Sequence, residues 1–597
     1  MKPIPTEKIT EKTDWIYEVK YDGFRAMLIW KKDNITLISK NKHDLTQNFP
    51  EIIAFCKAIE TKITNHLPLI FDGELVILNH TYQANFAAIQ QRGRLKTKEK
   101  IDDLATSRPA TFIIFDIMLH EGKSLQNLPL HERKRVLNRV AKPLQLSSNK
   151  RLQLIDSFSD YETVSAIVFN YKSEGIIAKR KASKYIGGKS HHDWFKEKNW
   201  RNIHTFLTAY DSLNEYYHIG ILADEKIKLI GKCKHGLGEE EAKTLKQIFI
   251  ENGEKKRQIH ELPPAICAQI HTLDLLAGEL REPQFAKLLP NENPLTCTEA
   301  RLATDIAMFP KVDLSNLDKI FWPQMHLSKG NLLVYIREIY PYMIPHLQDR
   351  ALTVIRCPDG VDEEFFYQKH VPSYAPKYVQ YFKDDEKKHI VCNNLESLVW
   401  LANHSAIEYH IPFQTVNSPY PTEIVFDLDP PNREQFVLAI HAAKLIKDLL
   451  DELNLTSFVK TSGNKGLQIH VPLPLNKINY EQTAVLTEAI AKTVESIASD
   501  MFTTERMKKN RDGRLYIDYV QHGKNKTIIA PYSPRKTEDA TVATPLYWYE
   551  VTESLRPEQF TIENVVDRVK EIGCPWMFEY DEARNQDLTK VERLLEK

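Results

Sequence analysis

The stretch WIYEVKYDGFR, residues 15–25, combines a strand-like pattern with an unusual arrangement of charges. Its apolar and aromatic residues alternate on one face of a predicted strand: Trp15, Tyr17, Val19 and Tyr21. Glu18, Lys20 and Asp22 therefore share the other face, and the chain is predicted to turn at Asp22 and Gly23. A single lysine set between two carboxylates raises the question of what its ammonium group does.

The composition sets limits on the class of protein. A chain of 597 residues is too long for one hydrophobic core and predicts three or more domains. The formal net charge is zero and the pI is about 7.3, so nucleic-acid binding would depend on local basic patches. Seven scattered cysteines without metal-ligand spacing favour a reducing cytosol. No stretch approaches ~18 consecutive apolar residues, so we expect a cytoplasmic protein without a membrane segment.

Changes of pattern along the chain predict its organisation. Strand-like runs at 204–210, 216–224 and 226–238 suggest a small barrel. The Pro- and Asn-rich segment LLPNENPLTCTEARLATD, 288–305, is predicted to be a linker. Residues 327–348 have helical periodicity. A buried strand at 421–430, an amphipathic helix at 433–453 and two strands within 456–473 then predict an α+β or βαβ unit.

Lys20 is a candidate nucleophile. A neutral amine attacks phosphorus, but an unperturbed lysine pKa of ~10.4 leaves the group mostly protonated at neutral pH. Burial and nearby cations would lower that pKa, and Lys196 and Lys198 on the strand WFKEK are candidate cations. The alternative is a half-buried surface lysine paired with Glu18 or Asp22.

Four further motifs follow in order: FDGELVIL with Glu74, FIIFDIM with Phe115, EGIIAKR with Glu174 and Lys179, and WFKEK. Together with KYDGFR they resemble the nucleotidyltransferase motifs of ATP-dependent DNA ligases, KxDGxR, DGE, FD, EGxxxK and WxKxK. The resemblance implies that Lys20 takes AMP from ATP, that AMP passes to a DNA 5′-phosphate, and that a 3′-OH then displaces it.

The same resemblance implies a role for each matching residue. Glu18 would lie near the adenine, Arg25 and Glu74 near the ribose or the attacking end, Phe115 would stack on the base, Glu174 would help hold a divalent metal, and Lys179, Lys196 and Lys198 would neutralise phosphate oxygens. The alternatives are that Phe115 is ordinary core and that Glu174 belongs to an ordinary turn.

The match to ligases weakens beyond the first domain. The predicted barrel fits the OB domain of such ligases. LREPQFAKLL, 280–289, resembles their C-terminal Arg-x-Pro segment but lacks the Asp-Lys pair expected after it. Because that motif assists the first step, we expect slow self-adenylation.

Paired acids in the second half suggest metal chemistry. VFDLDP places Asp427 and Asp429 on one strand face, and LYIDYVQ supplies Asp518. Carboxylates in this arrangement can hold two divalent metals for in-line phosphoryl transfer. The alternative is chance, because DxD is a short and common pattern.

EYHIPF, VFDLDP, KTSGNKGLQIH, YIDYVQ and APYSPR occur in order and resemble the primase-like polymerase domain of bacterial ligase D proteins. The resemblance implies that Asp427, Asp429 and Asp518 carry Mn²⁺ or Mg²⁺, that Ser462, Lys465, His470 and Arg535 line the triphosphate, and that His410 and Gln521 contact the incoming sugar. His410 could equally be a satisfied histidine at a strand end.

Two further segments suggest DNA contacts. LDKIFWPQMHLSKG carries Lys319 and Lys329, which by resemblance bind the 5′-phosphate at the far side of a gap. Phe365 and Phe366 of FFYQK could stack on a template base. The alternative is one buried and one exposed phenylalanine.

We therefore expect a multidomain α+β protein: an ATP-grasp-like adenylation domain at 1–200, an OB-fold barrel at 201–290, a linker at 291–311 and an archaeo-eukaryotic primase-type polymerase at 312–597. By resemblance to the Bacillus-type ligase D family, its partners are ATP, NTP or dNTP, the Ku protein, and double-stranded DNA ends, nicks and gaps at the nucleoid. Alternatives are a gap-filling polymerase with a weak ligase domain, and a non-catalytic end-bridging scaffold.

Overall fold

The computed structural model describes residues 1–146, 150–188 and 190–595. The predicted domain ranges also include 147–149, 189, 596 and 597, which lie outside the described residues. The chain divides into two compact units, residues 1–308 and 309–597.

The strands of the first unit are β1 (Lys2–Thr6), β2 (Trp15–Lys20), β3 (Phe24–Lys31), β4 (Asn34–Ser39), β5 (Leu69–Val76), β6 (Leu78–His80), β7 (Gln83–Ala84), β8 (Thr111–His120), β9 (Lys123–Ser124), β10 (Leu152–Leu154), β11 (Gly175–Arg180), β12 (Ser190–Lys198), β13 (Arg201–Asp211), β14 (Tyr216–Ala223), β15 (Lys226–Cys233), β16 (Glu254–Lys256), β17 (Ile259–Thr272), β18 (Leu275–Leu276), β19 (Glu279–Leu280) and β20 (Gln284–Leu289). Its helices are α1 (Pro50–Ile59), α2 (Phe86–Arg94), α3 (Lys98–Ser107), α4 (Leu130–Ala141), α5 (Tyr161–Asn170), α6 (Glu239–Asn252) and α7 (Glu299–Ala307).

Two sheets form the first part of this unit, and the turn at Asp22-Gly23 joins them. One sheet has the order β1-β12-β11-β2, and the other has the order β10-β8-β5-β3-β4. Because β2 ends at Lys20 and β3 begins at Phe24, the chain passes from one sheet to the other within three residues. A Cβ atom on Gly23 would lie 2.3 Å from the carbonyl oxygen of Leu75, so the close approach requires glycine. Lys20 is thereby fixed at the junction of the two sheets.

An antiparallel sheet with the order β15-β14-β13-β17-β16 and β20 beside β17 follows. Its core lies between the sheet and two helices, with Ile203, Ile219 and Phe285 from the strands and Phe249 from α6. The three strand-like runs of the sequence are β13, β14 and β15, as predicted.

The linker predicted at 291–311 is wrong for residues 299–307. These form helix α7, and Leu302 is buried in the core of the β13–β17 sheet. Asp305 accepts hydrogen bonds at 2.9 Å from the backbone N–H of His204 and lies 2.9 Å from its Nδ1. The helix therefore belongs to the first unit, which ends at Met308.

The strands of the second unit are β21 (Ile320–Trp322), β22 (Leu327–Ser328), β23 (Thr353–Arg356), β24 (Phe366–Gln368), β25 (Tyr381–Asp384), β26 (Lys387–Ile390), β27 (Ala406–Pro412), β28 (Glu423–Asp429), β29 (Phe458–Thr461), β30 (Leu467–Pro472), β31 (Phe502–Thr503), β32 (Leu515–Asp518), β33 (Thr527–Ile529) and β34 (Pro545–Leu546). Its helices are α8 (Lys329–Leu347), α9 (Leu395–Asn403), α10 (Phe436–Glu452), α11 (Tyr480–Ile497), α12 (Val565–Ile572), α13 (Glu579–Ala583) and α14 (Thr589–Leu595).

The second unit contains two larger sheets, with the orders β24-β23-β27-β33 and β31-β32-β28-β30-β29-β34, and two two-stranded sheets, β21-β22 and β25-β26. Strand β28 is central, and Ile424, Phe426 and Leu428 are buried on one of its faces while Asp427 and Asp429 are partly exposed on the other. Strands β28 and β29 both run antiparallel to β30, which lies between them, so β28 and β29 are parallel and the segment β28–α10–β29 is a split βαβ unit. The predicted multidomain α+β class is confirmed.

Candidate active sites

Lys20 lies opposite Gly175 in the pairing of β2 with β11, and its Nζ forms an ion pair with the neighbouring Glu174. Burial disfavours the ammonium, but the carboxylate of Glu174, helped by Glu74 and Asp22, outweighs this and raises the pKa of Lys20. The expectation that burial and cations lower this pKa is wrong for this arrangement, because the nearest charges are acids. The alternative pairing with Glu18 or Asp22 is also wrong.

Glu18 is fully buried and binds two lysines. It accepts hydrogen bonds from Lys134 Nζ at 2.5 Å and from Ser157 Oγ at 2.9 Å, and it forms an ion pair with Lys179. Burial opposes its charge, but the two lysines prevail and lower the pKa of Glu18. Lys179, expected on phosphate oxygens, is instead bound to Glu18, and its Nζ lies 4.4 Å from the ring centroids of both Phe115 and Trp194. The carboxylate of Glu18 therefore already compensates the positive charge of Lys179.

Arg25 is fixed by partners that the motif does not contain. Its Nε and Nη2 donate to the two carboxylate oxygens of Asp72 at 3.2 and 2.7 Å, a bidentate pair. Its Nη1 donates to the carbonyl oxygen of Met1 at 2.6 Å, and Tyr185 Oη donates to Asp72 at 2.8 Å. Its guanidinium lies 5.2 Å from the ring centroid of Phe115. Arg25 is therefore rigid at the edge of the cleft.

Glu74 is half-buried, and within the described parts of the chain its carboxylate has no ion-pair partner of its own. Burial raises the pKa of Glu74 to about 8, although Lys20 and Arg25 act in the opposite direction. A carboxyl group with this pKa is mostly protonated at neutral pH and can donate as well as accept a hydrogen bond.

These side chains surround one cavity of about 230 Å³. Lining residues that the motifs predicted are Glu18, Lys20, Arg25, Glu74, Phe115, Lys179 and Lys196. Aromatic and aliphatic surface comes from Phe115, Trp194, Ile113, Ile155 and Ile177. A cavity with apolar walls and a cationic end fits a nucleotide, which needs a surface for its base and positive charge for its phosphates. Sequence reasoning assigned no role to Trp194, although the residue stands in the WFKEK motif.

The two WFKEK lysines differ in their surroundings. Lys196 lines the cavity, and burial, with Lys20 and Lys198 nearby, lowers the pKa of Lys196. Lys198 forms an ion pair with Glu282, and its Nζ lies 4.6 Å from the ring centroid of Trp200. Next to Glu282, Arg281 forms an ion pair with Asp22. The segment LREPQF therefore contacts both the KYDG turn and the WFKEK strand.

In the second unit, Asp427 and Asp518 lie directly opposite each other on β28 and β32. Burial raises the pKa of Asp427 to about 6, and Asp518 and Asp429 add to this effect. The pKa of Asp518 is raised as well, chiefly by burial. Carboxylate oxygens are the donors that Mg²⁺ and Mn²⁺ prefer, so these residue types fit the divalent metals that the sequence predicts, although the oxygens of Asp427, Asp429 and Asp518 do not all lie within 4.8 Å of one another.

Asp429 is held by cations. Lys465 Nζ lies 2.9 Å from its Oδ1, and Arg511 Nη1 donates to its Oδ2 at 3.3 Å. Lys465 also donates to the carbonyl oxygen of Pro430 at 2.7 Å. Lys465 thus lies beside Asp429, its contact with a triphosphate stays a prediction, and Arg511 was not predicted.

The expectation that His470 lines the triphosphate is contradicted. His470 is fully buried, its Nδ1 lies 2.8 Å from Glu423, and its ring centroid lies 4.9 Å from that of Trp576. Two residues earlier, Gln468 is paired with Asp427 across the sheet and donates to its Oδ1 at 3.1 Å. Gln468, to which the sequence analysis gave no role, therefore contacts Asp427, whereas His470, expected at the triphosphate, contacts Glu423.

Gln468 is itself oriented by a buried lysine. Lys460 Nζ donates to Gln468 Oε1 at 2.5 Å. Because an ammonium can only donate, this contact fixes the amide so that its NH₂ group faces Asp427. Burial lowers the pKa of Lys460 to about 7.

Two of the remaining predicted residues, His410 and Arg535, lie next to Glu408, a residue to which the sequence analysis gave no role. Glu408 lies 2.9 Å from His410 Nε2 and 3.2 Å from Arg535 Nε. Arg535 Nη1 also donates to the carbonyl oxygen of Ser462 at 3.1 Å. Gln521 donates from its backbone to Asp518 at 2.9 Å. Glu408 thus lies between His410 and Arg535, and Gln521 is hydrogen-bonded to Asp518, one of the acids predicted to bind metal.

Lys319 and Lys329 are adjacent across the hairpin of β21 and β22. The backbone N–H of Lys329 donates to the carbonyl oxygen of Lys319 at 2.8 Å. Lys319 Nζ lies 2.5 Å from Asp359, and Lys329 Nζ donates to the carbonyl oxygen of Ser315 at 2.6 Å. Burial, with Lys319 nearby, lowers the pKa of Lys329 to about 8. Lys329 also opens helix α8, so two cations and a helix N-terminus coincide.

Phe365 and Phe366 are both exposed, at 44% and 43%. The alternative of one buried and one exposed ring is therefore wrong. Lys536 Nζ lies 4.2 Å from the ring centroid of Phe365, and the guanidinium of Arg356 lies 4.9 Å from that of Phe366. Exposed aromatic faces beside cations suit a nucleic-acid surface.

Comparison with known proteins gives consistent results. Residues 3–198 match the family described as ATP dependent DNA ligase domain, and residues 328–576 match LigD, primase-polymerase domain. The chain is 38% identical to the bifunctional non-homologous end joining protein LigD of Bacillus subtilis (strain 168), over 100% of this chain and 99% of that protein. It is 24% identical to the multifunctional non-homologous end joining protein LigD of Pseudomonas aeruginosa, over 94% of this chain and 70% of that protein. A solved polymerase domain of Mycobacterium tuberculosis Ligase D in complex with DNA shares 28% identity, with a TM-score of 0.42, over 45% of this chain and 96% of that one.

The fold and the two sites define an ATP-dependent DNA ligase followed by a primase-like polymerase. The chain belongs to the LigD family of non-homologous end joining proteins, and its ligase-first order is that of the Bacillus type. Within the described residues, every helix is too short or too polar to cross a bilayer.

Proposed function

We propose that this protein repairs DNA double-strand breaks by non-homologous end joining, sealing strands with ATP and adding nucleotides at gaps before they are sealed. The observation that carries this proposal is the presence of two distinct constellations in one chain, a lysine in a nucleotide-sized cleft and acids paired across a sheet. One chemistry needs a nucleophilic amine and the other needs metal-binding carboxylates, so they support two successive reactions on the same substrate.

In the first unit, the amine of Lys20 attacks the α-phosphate of ATP and releases pyrophosphate, which leaves AMP on the lysine. A DNA 5′-phosphate then attacks this AMP and frees the lysine, and the 3′-OH attacks the 5′-phosphate, forming the phosphodiester bond and releasing AMP. The ammonium must first lose a proton, and Glu174 is the carboxylate in contact with it. Phe115 and Trp194 provide the faces for the adenine, with Glu18 nearby. Arg25 and Glu74 face the ribose, and Lys196 and Lys198 neutralise phosphate oxygens. A metal ligand role for Glu174 requires its release from Lys20.

In the second unit, Asp427, Asp429 and Asp518 would hold two divalent metals, Mn²⁺ or Mg²⁺. When bound, such ions stabilise the charge that develops on the phosphoryl oxygens during nucleotide addition. Gln468 and Lys460 orient Asp427 for this task. Ser462, Lys465 and Arg535 bind the triphosphate of an incoming NTP or dNTP, with His410 and Gln521 toward its sugar.

The DNA partners are double-stranded ends, nicks and gaps. Lys319 and Lys329 would bind the 5′-phosphate at the far side of a gap, exchanging Asp359 for the phosphate. Phe365 and Phe366 would stack on a template base. The Ku protein, working with this enzyme at the nucleoid in the cytoplasm, is the partner we propose for end binding.

One assay separates this function from its alternatives. The full chain is incubated with labelled ATP to detect a covalent adenylate, and gapped DNA with nucleotides is then added. We expect label on the protein, extension across the gap, and a sealed product. Extension without label would indicate a polymerase whose ligase domain is weak, and DNA binding without either reaction would indicate a scaffold.

A further inference from the structure

Three side chains of types that can bind a metal ion lie together in the first unit, away from the residues assigned to DNA sealing. His66 Nδ1 lies 2.9 Å from His120 Nε2, and Glu121 Oε1 lies 3.5 Å from His120 Nε2 and 4.0 Å from His66 Nδ1. Across residues 1–146, 150–188 and 190–595, this is the one group of three His, Cys, Asp or Glu side chains whose ligand atoms all lie within 4.8 Å of one another.

The backbone holds these residues together independently of their side chains. His66 precedes strand β5, and His120 ends strand β8, which pairs with β5 so that Ile70 lies opposite Leu119. The backbone N–H of Glu121 donates to the carbonyl oxygen of His66 at 3.1 Å. The pairing of β5 with β8 therefore brings His66 close to His120 and Glu121, so the backbone is already in position for an ion to bind.

We propose that His66, His120 and Glu121 bind a first-row transition dication, with Zn²⁺ as the ion that fits best. Tetrahedral Zn²⁺ with bonds of about 2.0–2.2 Å separates its ligand atoms by about 3.3–3.6 Å. The observed separations of 2.9, 3.5 and 4.0 Å lie on both sides of that range, so shifts of a few tenths of an ångström bring all three atoms into place.

The ligand chemistry separates this site from the polymerase acids. Two imidazoles and one carboxylate favour Zn²⁺, Co²⁺ or Ni²⁺, whereas an all-oxygen set favours Mg²⁺ and Mn²⁺. The side chains are partly exposed, at 23% for His66, 13% for His120 and 48% for Glu121, so an ion can enter and water can complete its coordination.

The location indicates a stabilising role for the ion. Strands β5 and β8 carry Glu74 and Phe115 farther along their length, and the proposed ligands lie at the end where β8 leaves the sheet. An ion there would link the segment before β5 to the turn after β8 and would stabilise the sheet on which the adenylation cleft is built.

The test measures metal binding by the full, untagged chain after treatment with a chelator and its removal. Zn²⁺ affinity is measured by competition with a chromophoric chelator, and Co²⁺ binding is followed by its visible absorption. The variants are His66→Ala, His120→Ala and Glu121→Gln, and His43→Ala, an exposed histidine of the same domain, is the matched control. All seven cysteines are buried, which limits competing thiol ligands.

We expect the wild type and His43→Ala to bind one Zn²⁺ that each histidine variant loses. Since removing a mere partner of a ligand costs 10–100-fold in affinity, loss of a direct ligand should cost at least about 100-fold. Zn²⁺ should also raise the melting temperature of the wild type more than that of the variants. If a histidine variant does not fold, Glu121→Gln, an exposed near-isosteric change, decides the matter. Equal Zn²⁺ affinity in wild type and Glu121→Gln, or no Zn²⁺ binding by wild type, overturns the proposal.

Discussion

Lys20 and Glu174 form an ion pair at the point where strands β2 and β11 bring the KYDG and EGIIAK motifs side by side. The residue that controls the charge of Lys20 is therefore neither of its sequence neighbours. Glu18 binds Lys134 and Lys179, and Asp22 binds Arg281. Each of these three acids therefore has a cationic partner of its own, so we expect a substitution of one of them to disturb its own ion pairing alone.

Lys20→Ala should abolish protein adenylation and nick sealing while nucleotide addition continues, because the amine is required only for the ligase steps. Labelled AMP on the protein, sealing of a nick and extension of a primer measure the three activities. Lys57→Ala, on the exposed face of α1, is the control and should retain all of them. Covalent AMP on Lys20→Ala at the wild-type level would remove Lys20 from the mechanism.

Glu74→Gln should stabilise the first unit at pH 8 and lower ligation. The pKa of Glu74 is raised from 4.5 to about 8 by burial, so between these values the folded carboxyl keeps a proton that the unfolded one has lost. Folding stability from this group therefore falls as pH rises through that window, and an amide avoids the loss. We expect a gain on the order of 2–4 kcal/mol at pH 8 that disappears near pH 5.

Denaturant unfolding at the two pH values measures this gain. Glu99→Gln, at an exposed position of α3, should show no pH-dependent difference from wild type. A Glu74→Gln protein that is less stable than wild type at pH 8 would mean that the carboxyl is charged in the folded protein.

Asp427→Asn and Asp429→Asn should each reduce primer extension by orders of magnitude and spare sealing of a simple nick. The amide keeps the shape of the side chain but removes charge that holds metal. Asp448→Asn, exposed on α10, should extend normally. Wild-type gap filling by both active-site variants would show that these carboxylates are structural.

Gln468 and His470 should have different roles, and substitution separates them. Gln468→Ala removes the hydrogen bond to Asp427 and should slow extension by about 10- to 150-fold, because one hydrogen bond to a charged group contributes about 1.5–3 kcal/mol. His470→Gln should lower the melting temperature, since Glu423 loses its buried partner, with extension by the folded protein little changed. Extension kinetics and thermal unfolding of both variants test this assignment, and the opposite outcome would restore His470 to the site.

Lys319→Ala combined with Lys329→Ala should erase the preference for a 5′-phosphorylated gap over a 5′-hydroxyl gap. Two charge-assisted contacts of about 1.5–3 kcal/mol each amount to at least ~100-fold in affinity. Added salt should weaken the wild-type preference, because the contact is ionic. Extension of an open primer–template should remain, and the exposed pair Lys444→Ala with Lys492→Ala serves as control. A double variant that still prefers the phosphate would place the grip elsewhere.

Local patterns in the sequence predicted most elements and most of the residues around each cleft. Alternation predicted β2 and β28, and helical periodicity predicted α8 and α10, because burial on one face imposes those periods. The segment 288–305 was wrongly predicted to be a linker. Helix α7 is short and its apolar face is narrow, so Leu302 is one of few residues in the sequence that indicate a buried helix face.

Partners across a sheet could not be predicted in the same way. The pairing of Lys20 with Glu174 and of Arg25 with Asp72 depends on strand register, which the motifs do not contain. The sequence analysis chose His470 rather than Gln468 for the same reason, because the register of β30 against β28 decides which side chain lies beside Asp427. A one-step change along β30 turns a side chain to the opposite face, and a two-step change moves it along the sheet from one neighbour to the next.

The hairpin of β21 and β22 has a consequence for how the two lysines that we propose bind the 5′-phosphate can vary among relatives. Lys319 and Lys329 are neighbours through a backbone hydrogen bond, and the turn between the two short strands does not set their separation in space. Insertions or deletions at the tip of that turn would thus change the count of residues between the lysines without moving either ammonium. A search that demands a fixed spacing would overlook such relatives, whereas one that demands a lysine at each foot of the hairpin would find them.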